Sequence, residues 1–189
     1  MNILLISPQT PLTFWSLKHA VRFMARQAAF PPLGLLTVAA MLPKSWNMRL
    51  VDMDVTRLRD SDLQWADYVL IGAMIVHKQS IDEEIIPRCQ RLGRTIIGGG
   101  PLFTTGCEEY LGVVHAVCGE CEEIIDDVVR DMELGELKPK YESTRGFPDV
   151  SKTPVPRWDL INVRRYATMP VQFSRGCPFD CEFCDIIVM

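Results

Sequence analysis

Five short apolar runs recur along the first two thirds of the chain, separated by stretches whose apolar residues return every three or four positions. Residues 2–7 (NILLIS) are apolar and stop at Pro8. Residues 48–55 (MRLVDMDV), 67–75 (DYVLIGAMI), 94–98 (RTIIG) and 113–118 repeat that pattern, and each predicts a β-strand. Between them, Leu33, Leu36, Ala40 and Met41 recur at helical spacing after Pro31 and Pro32 and before Pro43. Residues 79–92 form a second helical pattern with Ile81, Ile85 and Ile86 facing inward and Pro87 as a source of a kink. A third helix is predicted over residues 120–134.

Strands alternating with helices predict an α/β fold with a parallel sheet. Five strands match a flavodoxin- or Rossmann-like doubly wound sheet. In such sheets ligands bind beyond the carboxyl ends of the strands, at the switch point of the strand order. The loops 7–9, 75–80, 98–102 and 119–122 are therefore the candidate site, and they contain Ser7, Pro8, His77, Gly98, Gly99, Gly100, Gly119 and Glu120. Residues 1–135 are read as this first domain. Near residue 135 the pattern gives way to a proline-rich stretch, so residues 136–168 are read as a connector held down by Phe147, Trp158, Leu160, Ile161 and Tyr166. Residues 169–174 (MPVQFS) read as a strand that opens a second domain over 169–189.

Composition narrows the function classes. The 189 residues are 48% hydrophobic with a formal charge of −4, and no basic stripe suggests nucleic acid. No apolar run reaches the ~18 residues of a membrane span, and the amino terminus lacks the features of a signal peptide. A cytoplasmic location is expected, where the seven cysteines would be metal ligands or buried thiols and not disulfides.

The densest chemistry lies in residues 175–187, RGCPFDCEFCDII, where Cys177, Cys181 and Cys184 follow the spacing C-x3-C-x2-C. Three thiolates there would hold three irons of a four-iron-four-sulfur cluster and leave the fourth open to a small molecule. A closed zinc site would need a fourth ligand, and the segment has neither a histidine nor a fourth cysteine. The C-x3-C-x-aromatic-C pattern, with Phe183 as the aromatic, resembles the cluster motif of radical S-adenosylmethionine enzymes.

That resemblance implies that Cys177, Cys181 and Cys184 bind the cluster, that S-adenosylmethionine chelates the open iron, and that Phe183 packs near the cluster or the adenine. A 5′-deoxyadenosyl radical formed there would attack a small-molecule substrate, with a flavodoxin or ferredoxin as electron donor. A flavodoxin-like domain ahead of the motif resembles the cobalamin-binding subclass, which includes the anaerobic magnesium-protoporphyrin monomethyl ester oxidative cyclase group and various methyltransferases. PPLGL (31–35), IIGGGP (96–101) and GECE (119–122) resemble segments of that subclass. The resemblance implies cobalamin beside Gly98, Gly99 and Gly100, and a chain that is the amino-terminal part of a longer enzyme, with methyl transfer or oxidative cyclisation as its reaction. No catalytic residue is assigned within the chain, which is expected to be inactive by itself. The D-x-H-x-x-G cobalt-ligand motif is absent after the first strand, where His19 lacks the matching Asp and Gly. The competing reading is a non-enzymatic α/β ligand-binding or interaction module whose terminal cysteines bind zinc.

The remaining candidates carry weaker signals. Cys118 and Cys121 form C-G-E-C, which is read as structural with a redox pair as the sharper alternative. Cys89, Cys107 and His115 are read as structural, and Glu120 and Glu122 as acidic residues favoured at a helix start. Phe14, Trp15 and Phe30 flank the long loop after the first strand and would pack in the core or cover a cofactor.

Overall fold

Six parallel strands form one sheet in the order β2-β1-β3-β4-β5-β6 in the computed structural model of the chain, which describes residues 1–13, 16–143, 148–177, 179 and 182. The strands are β1 Asn2–Ser7, β2 Asn47–Asp52, β3 Tyr68–Gly72, β4 Thr95–Gly99, β5 Val114–Cys118 and β6 Lys140–Glu142. The fold is α/β and Rossmann/flavodoxin-like. The strand runs are apolar throughout because both faces of the sheet are covered. Leu4, Ile6, Val69, Ile71 and Ile96 pack on one face beneath the helical segments 60–65, 78–91 and 101–110. Ile3, Leu5, Leu70, Ile97 and Val117 pack on the other, beneath helices Leu33–Met41 and Ile125–Leu134. Successive strand residues point to opposite faces, so each run feeds both cores.

The sheet has one strand more than the pattern predicts. The sixth strand lies inside the stretch read as connector, pairs parallel with β5, and carries two charged residues around Tyr141. Three residues are too few to show a period of two. Its anchor is Tyr141, whose hydroxyl donates to Asp131 at 2.9 Å from the helix Ile125–Leu134. That helix ends at Gly135 in the left-handed conformation, φ 72°, as a chain reversal toward β6 requires.

The helix over residues 78–91 is continuous but widens into a π-turn at Ile81–Ile85. Pro87 has no N–H to offer the carbonyl of Glu83, and the wider turn accommodates that loss. Ile81 and Ile85 are fully buried, as their spacing predicts.

The connector is held against the domain by main-chain bonds. Gln27 N–H donates to Arg165 O at 2.8 Å, Ala167 N–H to Ala28 O at 3.0 Å, and Thr168 N–H to Ala29 O at 3.1 Å. Tyr166 is buried and Leu160 packs against the second core, while Phe147 lies outside the described residues. Residues 169–174, expected as a strand, carry no ladder partner among the described residues, and Val171, Gln172, Phe173 and Ser174 line the crevice. A strand exists only by pairing, and among the described residues no strand pairs with them.

Candidate functional site

At the carboxyl ends of the strands lies a cavity of about 1000 Å³. It opens at the switch point, where β1 and β3 diverge to β2 and β4, and runs inward over the second face of the sheet. Its floor is Leu70, Ile97 and Val117, and its sides come from the helices Leu33–Met41 and Ile125–Leu134. Its mouth is polar, with Ser7, Thr10, Lys18, Asp52, Asp54 and His77.

The sequence-predicted site residues divide in two. Ser7, His77, Gly99, Gly100, Gly119 and Glu120 line the cavity. Pro8 and Gly98 do not. Pro8 is buried in the strand-to-loop turn, away from the lining. Gly98 faces the opposite side of the sheet, where a Cβ would lie 2.8 Å from Phe103 and Val114 side-chain atoms, so its smallness serves packing. Gly99, one residue on, faces the cavity; its Cβ would meet nothing nearer than Val117 O at 3.7 Å. Gly100 is glycine for a third reason: its φ is 92°, and a Cβ would strike Ala73 O at 2.8 Å. The three consecutive glycines therefore answer three different demands, and only the middle one leaves room for a ligand.

His77 is buried, and its neighbours fix its tautomer. Met74 N–H donates to Nδ1 at 3.2 Å, so the ring proton sits on Nε2, 3.4 Å from Thr10 Oγ1. Burial holds its pKa below the usual histidine value against the opposing charge of Asp54. His77 thus presents a neutral N–H donor at the mouth. Asp54 accepts from Thr10 N–H at 3.1 Å and pairs with Lys18 at 3.3 Å, tying the loop after β1 to the end of β2.

Asp52 closes β2 and is only 5% exposed. It accepts from Tyr166 Oη at 2.9 Å and from Asp54 N–H at 3.0 Å. Burial raises its pKa to about 6 despite those two donors. The sequence reading missed Asp52, Asp54 and Lys18; the acidic residue ending an apolar strand in RLVDMDV was the available signal.

The GECE segment has a defined role in the geometry. Arg175, from the SRGCP segment, donates to Glu120 at 2.5 Å and also to Glu122. Glu122 further accepts from Thr153 Oγ1 at 3.2 Å. Burial raises the Glu120 pKa; burial also acts on Glu122, but hydrogen bonds from Arg175 and Thr153 outweigh it and hold that carboxyl low. The two carboxylates were expected to serve a helix start, yet the α-helix begins only at Ile125, after a short turn at Cys121–Glu123.

The C-G-E-C pair shows no activated thiol. Burial pushes both Cys118 and Cys121 up to about 12. Cys118 Sγ faces Phe103 O at 3.4 Å and clusters with Cys107 and Ala116. Cys89 is fully buried, with its thiol pushed up to about 11. His115 Nδ1 lies 2.8 Å from Lys138 O, a contact that bridges β5 to the approach to β6. His19 is exposed, and Phe30 stands 59% exposed at the cavity rim. Of the three motif cysteines, Cys177 is exposed. Cys181, Cys184 and Phe183, like Phe14 and Trp15, lie outside the described residues. No helix among the described residues is long and apolar enough to cross a membrane.

No protein-family model matches the chain. The chain is 40% identical over 191 residues to an uncharacterized methyltransferase of Synechocystis, an alignment covering all of this chain and 35% of that protein. It is 30% identical over 189 residues to a hopanoid C-2 methylase of Rhodopseudomonas palustris, covering 98% of this chain and 36% of that one. A bacteriochlorophyllide d C-8(2)-methyltransferase of Chlorobaculum tepidum is 27% identical over 166 residues, covering 80% and 34% respectively. The chain spans about a third of the length of these curated relatives, and its homologues are methyltransferases.

Proposed function

We propose that the chain is the cofactor-binding part of a larger radical S-adenosylmethionine methyltransferase, with cobalamin in the crevice and a four-iron-four-sulfur cluster on the cysteine loop. The observation that carries this reading is the cavity: a large apolar slot with a polar mouth, flanked on one side by the segment that leads into Cys177. The relatives' names favour methyl transfer over ring closure as the reaction.

The lining fits a large ring with polar substituents. Gly99 leaves open space over the sheet, and Leu70, Ile97 and Val117 offer an apolar floor. Ser7, Thr10 and the Nε2–H of His77 would meet amide groups at the mouth, while Asp54 and Lys18 hold the loop that carries Thr10. Bound there, cobalamin would supply a methyl group or accept an electron. His77 is committed as a donor by its Met74 contact, so it serves hydrogen bonding and not metal ligation. The three thiols of the C-x3-C-x2-C loop match the donor set of a cluster with one open iron. S-adenosylmethionine would bind that iron. Substrate, electron donor and the remaining catalytic groups belong to the rest of the protein.

Anaerobic reconstitution with iron and sulfide tests the cluster half. About four irons per chain and broad absorption near 400 nm are expected of such a cluster, with both lost in Cys177→Ala. One zinc and no iron uptake would sink this half in favour of a zinc module. Hydroxocobalamin titration tests the crevice half, for which a spectral shift and co-elution on gel filtration are expected.

A further inference from the structure

We propose that Arg175 is a positioning residue: its guanidinium, forked between Glu120 and Glu122, fixes where the cysteine loop starts relative to the mouth of the crevice. This rests on the reading of residues 177–184 as a cluster loop and adds the device that holds that loop in register with the cavity.

The case begins with how little else holds the segment. Thr168 makes the last main-chain bond of the connector, to Ala29. Among the described residues, none from 169 to 177 makes another main-chain hydrogen bond. Val171 and Phe173 are 89% and 94% exposed, so beyond the half-buried Pro170 apolar packing does little to fix the segment. The chain is next tied to the domain at Arg175, and only through its side chain. That side chain is 9% exposed, and its partners Glu120 and Glu122 are 30% and 14% exposed. Both carboxylates sit on the loop after β5, with Glu120 in the cavity lining.

The choice of residue types fits the task. A guanidinium presents several N–H groups in a rigid plane and spans two carboxylates at once, which fixes direction as well as distance; a lysine ammonium is a point charge that would hold one. Arg175 stands two residues before Cys177, so an error in its placement passes directly to the cysteine loop. Glu122 is itself held by Thr153 of the connector, which makes the anchor rigid.

The test is 15N relaxation on the 189-residue chain without metal, following the backbone amides of residues 171–177. Order parameters of roughly 0.8 in the wild type are expected to fall below about 0.6 in Arg175→Ala, the range of a flexible segment. Arg175→Lys should fall between wild type and alanine. The charge exchange R175E with E120Q and E122R should restore the order. Amides of β1 and β3 serve as the control and should keep wild-type order parameters in every variant. Unchanged order in residues 171–177 of Arg175→Ala, or an equal fall in the β1 and β3 amides, overturns the proposal; so does a charge exchange that restores nothing. Iron uptake by the wild-type chain is measured on the same preparation. Its failure would sink the cluster reading while leaving the latch result separately legible.

Discussion

Leucine in place of Gly99 is expected to leave the chain folded and to weaken hydroxocobalamin binding at least tenfold, whereas leucine one residue earlier is expected to damage the fold. The two positions are neighbours on β4 and point to opposite faces. A Cβ at Gly99 makes only ordinary contact with Val117 on the cavity side, so the leucine side chain would extend into the space a ligand needs with little displacement of protein atoms. A Cβ at Gly98 would press on Phe103 and Val114, both buried, from 2.8 Å. Overpacking of that kind costs about 1–3 kcal/mol. For a chain of this length that corresponds to a loss of roughly 2–12 °C in Tm. Thermal melts and cobalamin titrations of the two variants should therefore separate cleanly, one losing binding and the other stability. Equal cobalamin affinity in Gly99→Leu and wild type would remove the crevice as the cobalamin site.

Much of this architecture is legible in the sequence because burial on both faces leaves a plain mark. NILLIS and YVLIG read as strands since nearly every position enters a core, and the placement of β1 matches residue for residue. The sixth strand escapes because a lone buried tyrosine between charged residues has no period. The phase of the glycines also escapes. GGG shows no alternation of its own, and only the register of Ile96 and Ile97 against the two cores tells which glycine faces the cavity. Long-range polar pairs are the hardest class. Tyr166 meets Asp52 across 114 positions, and Arg175 meets Glu120 across 55. The arginine of SRGCP carries no local pattern of its own beside the cysteines, and only the complementary charge of the acidic GECE segment points to its partner. The C-x3-C-x2-C spacing itself is visible in sequence because it is local.

Replacing Asp52 by asparagine is expected to stabilise the chain at neutral and alkaline pH and to change little near pH 4. Asp52 is almost wholly buried, and burial raises its pKa from the ordinary 3.8 to about 6. The folded chain thus retains a proton that the unfolded chain releases. Stability from this group is full below about pH 3.8, falls as pH rises through 6, and stays low above that. A displacement of that size corresponds to a loss on the order of 2–3 kcal/mol above pH 7. Asparagine has nearly the same shape and removes the charge. Its carbonyl would still accept from Asp54 N–H, and its amide would donate to the Tyr166 oxygen in place of accepting from it. Melting curves from pH 4 to 8 should show the two proteins converging at the acid end and diverging by roughly 4–12 °C at pH 8. Parallel curves over the whole range would mean that Asp52 titrates normally. A carboxylate that weakens the fold at neutral pH, sits in the wall of the cavity and receives the connector's Tyr166 is poorly explained by stability. In the proposed reading it supplies negative charge at the mouth: it accepts from Asp54 N–H at the end of β2, Asp54 in turn pairs with Lys18, and both carboxylates line the cavity a ligand would enter. Asp52→Asn should therefore gain stability and lose affinity for hydroxocobalamin, a trade that a purely structural residue would not make.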